Sequence, residues 1–217
     1  IEFSIHGMLD GRVRVGMPGK FNADNALAAL AVCTLALSGG SGVLDDHTKQ
    51  AILGSLVKVR VDGRMEIAHV SKKCSVIVDY AHNAVSMESL LTTLRDYHPK
   101  RLVCVFGCGG NRARDRRYSM GEIGGKMADL CIITADNPRF EKNEDIIKDI
   151  EVGLAKTDGT YLVIPDRREA IFYAIRNAEE GDMIAIIGKG HEDYQEIEGV
   201  KHHFLDREVV EEAVNNV

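Results

Sequence analysis

The run Asp136-Asn137-Pro138-Arg139 sets a carboxylate, an amide and a guanidinium around a proline, just after the apolar stretch 130–133. The planar fork of Arg139 suits a bidentate grip on a carboxylate. The plain alternative is an Asn-Pro turn that stops a strand. Three more stretches invite the same question. Gly107-Cys108-Gly109-Gly110-Asn111-Arg112 begins like a dinucleotide loop, but Arg112 stands where the third glycine belongs, so nicotinamide binding is a weak reading. Glycines there still let backbone approach a ligand, and Arg112 could then reach an anion. Gly188-Lys189-Gly190-His191-Glu192-Asp193 resembles a phosphate loop only superficially, because no Gly-x-x-x-x-Gly-Lys-Ser/Thr occurs in the chain. Asp79 and His82, in "DYAHN", could hold a ribose or a metal-bound water; Asp79 or Asn83 could equally cap a helix. Arg64, in "VDGRME", reads as a ligand group or a plain linker residue.

These residues need elements to hold them. From residue 72 onward, apolar runs of strand length alternate with helical patterns. Strands are predicted at 74–79, 101–106, 130–135, 160–165 and 182–188. Helices are predicted at 84–97, near 117–128, after a cap at Asn143, after a cap at Asp166 and after a cap at Asp206, with a hairpin around Gly199. Such alternation means an α/β fold whose mostly parallel sheet is covered by helices on both faces. In open parallel sheets ligands bind beyond the carboxyl ends of the strands. The strands ending at Asp79, Gly107, Asp136 and Gly188 should therefore open onto one edge. Residues 1–65 differ in style. They hold short strands, including 12–16, an Ala/Leu-rich helix at 22–37 and a helix near 46–56. Asn22 is the expected cap of the Ala/Leu-rich helix, Gly39-Gly40 its stop, and its nearly all-round apolar surface predicts burial.

Composition narrows the class. Lys plus Arg is 27 and Asp plus Glu is 33, for a net charge of −6, a poor balance for a nucleic-acid partner. No apolar run approaches the ~20 residues that span a bilayer. The 5 cysteines lack a Cys-x-x-Cys pair, which suits reduced thiols in a cytoplasmic protein rather than disulfides or zinc. No residue is assigned to a metal. The chain opens on Ile1 inside an expected strand, so it reads as a fragment.

Taken in order, "GKFNADNALAALA" (19–31), "GRMEI" (63–67), "DYAHN" with "SME" (79–88), "FGCGGNR" (106–112), "DNPR" (136–139) and "GKGHEDYQ" with "DRE" (188–208) resemble the Mur ligase family, in its meso-diaminopimelate-adding branch, nearly end to end. One local departure is Asn83-Ala84, where the family often carries Thr-Pro. The resemblance implies the tail of a central ATPase domain over 1–65 and a Rossmann-like C-terminal, amino-acid-binding domain over 66–217. It implies an ATP- and Mg2+-dependent amide ligase that activates the carboxylate of UDP-N-acetylmuramoyl-L-alanyl-D-glutamate as an acyl phosphate. The piece here would lack the phosphate loop and be inactive alone, with most of the magnesium site outside it. Position by position, Asn22, Asn25, Arg64, Asp79 and His82 fall to ATP. Arg112, Asp136, Asn137, Pro138, Arg139, Gly188 and Glu192 fall to meso-diaminopimelate, with Arg139 as the selective group. The partners implied are these small molecules, with no nucleic acid, no membrane, and a monomer in the bacterial cytoplasm. A lysine-adding or other superfamily ligase, and more distantly a nicotinamide-binding domain, are the competing expectations.

Overall fold

The segment "CSVIVD" shows how the sheet is built. In the computed structural model, which describes residues 1–216, it forms β4 (Cys74–Asp79). Its side chains divide by parity: Cys74, Val76 and Val78 enter one apolar cluster and Ile77 the other. The same division runs through β5 (Arg101–Phe106), where Leu102, Cys104 and Phe106 face one way and Val103 and Val105 the other. A strand buried on both faces must be apolar at successive positions, and these are. Around them stand β3 (Glu66–Val70), β6 (Leu130–Ile133), β7 (Tyr161–Val163) and β8 (Asp182–Ile187). The order is β3-β4-β8-β5-β6-β7. Only β3, at the edge, is antiparallel; the other five strands are parallel.

Helices α3 (Ala84–Arg95), α4 (Arg114–Met127) and α5 (Asn143–Leu154) pack on one face. Helices α6 (Arg167–Arg176) and α7 (Asp206–Asn215) cover the other. The pair α4 and α5 lie very close: a Cβ on Gly121 would stand 2.1 Å from the carbonyl oxygen of Ile150, and one on Gly153 1.9 Å from that of Tyr118. A two-residue turn at Glu198-Gly199, both at positive φ, joins β9 (Tyr194–Ile197) to β10 (Val200–His203).

The chain divides into two compact units, Ile1–Val61 and Asp62–Val217. The second starts before the expected boundary at 65/66. Residues 62–65 are bonded into it: Gly63 N–H donates to Glu66 Oε2 at 2.7 Å, and Met65 N–H to Asp79 Oδ2 at 2.7 Å. The first unit holds the hairpin β1 (Glu2–Ile5) and β2 (Gly11–Arg14), then α1 (Phe21–Leu37) and α2 (Asp46–Ser55). Its core gathers Ile5, Val13, Leu30, Leu44 and Leu53 among others.

Four local expectations fail, each for a physical reason. Helix α1 is not buried all round. One stripe, Ala26-Leu30-Thr34, enters the core, while Leu27, Val32, Leu35 and Leu37 are exposed; the unit's two strands and second helix cover one side of it only. Asn22 is not the cap of α1 but lies inside its first turn, held by its own donation to the carbonyl of Pro18 at 2.6 Å. Asn143 is not a cap either, because Lys142 takes that place and Asn143 Nδ2 points to the carbonyl of Pro165 at 3.4 Å. Asp206 sits inside α7, where its carboxylate is engaged by Arg167 rather than by backbone N–H groups. Asp166, by contrast, caps α6 as expected, accepting from Glu169 N–H at 2.9 Å.

Candidate functional site

The carboxyl ends of β4, β5, β6 and β8 meet at one edge of the second unit and enclose a cavity of about 300 Å3. Its wall is Tyr80 and His82 after β4, Gly107 to Gly109 with Arg112 and Arg116 after β5, Asp136, Asn137 and Arg139 after β6, and Gly188 and Glu192 after β8. All four strand-end sequences thus contribute to one space.

Two of these loops are locked together by backbone. Gly110 N–H donates to the carbonyl of Asn137 at 2.8 Å. A Cβ on Gly107 would fall 2.2 Å from the carbonyl oxygen of Thr134, and one on Gly110 1.9 Å from that of Pro138. Close backbone approach, rather than a dinucleotide phosphate, accounts for those glycines. Arg139, at φ 53°, is clasped by the hairpin: its N–H donates to the carbonyl of Glu196 at 3.0 Å and its carbonyl accepts from Glu198 N–H at 2.7 Å.

The cavity has two chemical sides. On the cationic side, Arg112 and Arg116 make no ion pair and no side-chain hydrogen bond with the described residues. Arg139 joins them. One of its terminal nitrogens donates to the carbonyl of Gly110 at 2.7 Å, and its Nε stands 3.3 Å from Glu196 Oε2, which leaves part of the fork unused. On the other side, Glu192 accepts from Asn137 Nδ2 at 2.8 Å and from the Tyr80 hydroxyl at 3.2 Å. Burial, then the Glu192 carboxylate, pushes the Tyr80 phenol above its ordinary value, so it remains a proton donor at neutral pH. Asp136 adds a second buried carboxylate, with Oδ1 on Asn137 N–H at 2.6 Å.

A ring of fixed charge lies behind this wall. Arg167, fully buried, grips Asp206 with two bonds of 2.7 Å and donates to the carbonyls of Ala135 and Ile187, at the ends of β6 and β8. Lys189, also fully buried, approaches Asn137 Oδ1, Glu192 Oε2 and the carbonyl of Tyr194. Burial holds its pKa below the ordinary lysine value against the pull of nearby Asp136.

The nucleotide candidates are distributed differently. Asp79 uses its carboxylate internally, accepting from Met65 N–H and Ala81 N–H at 2.7 and 2.8 Å. Burial raises its pKa against those two bonds and the charge of Arg64. Arg64 is exposed, with its guanidinium 4.8 Å from the centre of the Tyr80 ring. His82 lines the cavity with Nδ1 2.9 Å from the carbonyl of Tyr80. Asn22 and Asn25 belong to the first unit, where Asn25 Nδ2 donates to Asn22 Oδ1 at 3.0 Å. Asn83, not Asp79, caps α3, in a reciprocal capping box with Ser86. The Asn83-Ala84 start of α3 is thereby closed by a side-chain cap. No group of three or more His, Cys, Asp or Glu among the described residues is placed to hold a metal ion.

Sequence reading missed Tyr80, Arg116, Lys189 and Arg167. For Lys189 a signal was present: a lysine between two glycines at the end of an apolar strand has little access to water. For Arg116 and Arg167 there was none, since each sits in a run of charged residues that looks solvated.

A doubly covered parallel sheet with a charge-paired cavity at a shared strand edge defines an α/β ligand-binding domain. Residues 63–190 match the family described as Mur ligase, glutamate ligase domain, and the chain belongs to the Mur ligase family. It is 43% identical over 203 residues to the UDP-N-acetylmuramoyl-L-alanyl-D-glutamate–2,6-diaminopimelate ligase of Clostridioides difficile, covering 94% of this chain and 40% of that protein. To the enzyme of the same name from Aquifex aeolicus it is 46% identical over 196 residues, covering 90% of this chain and 38% of that one. The chain thus spans about two fifths of the length of these relatives. A solved structure of a ligase of that name superposes with a TM-score of 0.70 at 35% identity, over 95% of this chain and 41% of its own. The UDP-N-acetylmuramate-alanine ligase of Thermotoga maritima, at 19% identity and a TM-score of 0.65 over 95% of this chain and 40% of its own, shares the fold.

Proposed function

We propose that this chain supplies the amino-acid pocket of an ATP-dependent ligase that joins meso-diaminopimelate to UDP-N-acetylmuramoyl-L-alanyl-D-glutamate. The observation that carries the reading is the division of one cavity into arginines, Arg112 and Arg116 without a partner among the described residues and Arg139 only partly engaged, and hydrogen-bonded carboxylates, Asp136 and Glu192. A free amino acid has the complementary pattern, a carboxylate beside an ammonium. Diaminopimelate carries this pattern at both ends. One end can be gripped by Arg139, Arg112 and Glu192, and the other left to react. Lysine offers the far ammonium but no far carboxylate, so it would leave the Arg139 fork short of a partner.

In this reading the second unit is the C-terminal domain and the first unit the tail of a central ATPase domain. ATP activates the dipeptide's carboxylate as an acyl phosphate. The residues here bind and orient the amine that attacks it, work that lowers the barrier through proximity. Arg64, exposed above Tyr80, suits the nucleotide's phosphates. Asp79, occupied by two backbone N–H groups, shapes the loop and keeps spare lone pairs for a ribose. Mg2+ is expected to accompany the ATP phosphates. The expected setting is the bacterial cytoplasm, and the expected state a monomer.

Calorimetric titration of the chain tests the reading. Meso-diaminopimelate should bind weakly, and lysine more weakly by about 2 kcal/mol, the order expected when a partly desolvated guanidinium loses its partner. Equal binding, or a preference for lysine, would refute the diaminopimelate assignment in favour of a lysine-adding ligase.

A further inference from the structure

We propose that Lys189 is a positioning residue, which braces the Asn137 amide and the Glu192 carboxylate together and so aims the side of the cavity that receives an ammonium group; the inference rests on the diaminopimelate reading above.

The side chain is fully buried and does not line the cavity, so it cannot touch the ligand itself. A buried ammonium is costly unless its donors find acceptors. Here they find three on three segments: Asn137 Oδ1 at 3.4 Å after β6, Glu192 Oε2 at 3.5 Å after β8, and the Tyr194 carbonyl at the start of β9. The consequence for Asn137 is directional. A side-chain amide can present either its oxygen or its NH2 to a neighbour. Its Oδ1 is met by two donors, Lys189 Nζ and the Glu196 N–H at 2.9 Å. That forces Nδ2 toward Glu192 Oε2, 2.8 Å away. Glu192 is then fixed from both ends, Oε2 by Asn137 and Lys189 and Oε1 by Tyr80. A carboxylate offers about four lone-pair sites, two on each oxygen; Asn137 and Lys189 fill those of Oε2, and Oε1, bonded to Tyr80 alone, retains one for a ligand N–H. Without the lysine, the Asn137 oxygen keeps only the Glu196 N–H, and Glu192 loses the cation on Oε2, one of the three groups that aim it. A side chain needed only to fill space here could be any unbranched apolar one.

The test compares two ligands: meso-diaminopimelate, and 2-aminopimelate, which keeps both carboxylates and the reacting amine but lacks the second amine. Calorimetry on the unaltered chain should show diaminopimelate bound about tenfold more tightly, the scale of one hydrogen bond to a charged group. In Lys189→Met that ratio should fall to about one, while 2-aminopimelate affinity stays essentially unchanged. A folded Lys189→Met chain that keeps the ratio, or weakens both ligands alike, overturns the proposal. If the unaltered chain binds neither ligand, the pocket reading falls and this inference with it. Should Lys189→Met fail to fold, the unaltered chain decides through nitrogen-15 resonance of Lys189 Nζ. The signal should move on saturation with diaminopimelate and by less than half as much with 2-aminopimelate; equal movement overturns the proposal.

Discussion

Two groups of arginines stand at the carboxyl edge of the same sheet and lead different lives. Behind the strand ends, Arg167 has no exposed surface and spends its donors on Asp206 and the carbonyls of Ala135 and Ile187. At the cavity, Arg112 and Arg116 have neither ion pair nor side-chain hydrogen bond among the described residues, and Arg139 keeps part of its fork free. The lesson concerns valence rather than burial alone. A guanidinium whose donors are filled by the chain holds the strands in register. One with donors left over, facing a cavity beside carboxylates, is arranged for something that arrives.

The contrast can be broken first at its closed member. Arg167→Met leaves the Asp206 carboxylate buried without its cation, and urea unfolding should show a loss of about 3–5 kcal/mol. A loss within the error of the measurement would mean that the buried pair is not what ties β6 to β8. The open member should behave in the opposite way. Arg139→Met keeps the residue's backbone conformation within reach of a flexible side chain. It should weaken diaminopimelate by about 2 kcal/mol, roughly thirtyfold, and shift unfolding by under about 1 kcal/mol. If stability falls further than affinity, Arg139 belongs with Arg167 and the comparison fails. The smallest effect calibrates both: Asn83→Ala removes the α3 cap and should cost about 1 kcal/mol of stability, with ligand affinity unchanged, because Asn83 caps α3 outside the cavity wall.

The sheet was legible because its strands are buried on both faces, and such strands print as unbroken apolar runs. Residues 74–79 and 101–106 were readable to the residue for that reason. The meeting of four strand ends followed from parallel order alone. Caps were less legible, since Asn and Asp near a helix start can serve the backbone or a distant side chain. Asp206 chose Arg167, and Asn143 chose Pro165. Helix α1 misled by composition: an Ala/Leu surface states what would be buried given neighbours, and here only the Ala26-Leu30-Thr34 stripe has them. At the site, arginines were visible as residue types, but their free or filled donors depend on partners far along the chain, 39 positions away for Arg167 and Asp206.

The close approach of Gly110 to the Pro138 carbonyl has a practical corollary for redesign. With no room for a Cβ on one loop and a fixed turn on the other, the residues after β5 and those after β6 form a single transplantable part. Exchanging the Asp136–Arg139 turn alone for that of a ligase with another amino-acid preference would set a foreign backbone against Gly107 and Gly110. A graft of 107–112 together with 134–141 carries the fitted surfaces with it, and on the proposed reading is the unit in which a preference for one amino acid would be moved from one chain to another.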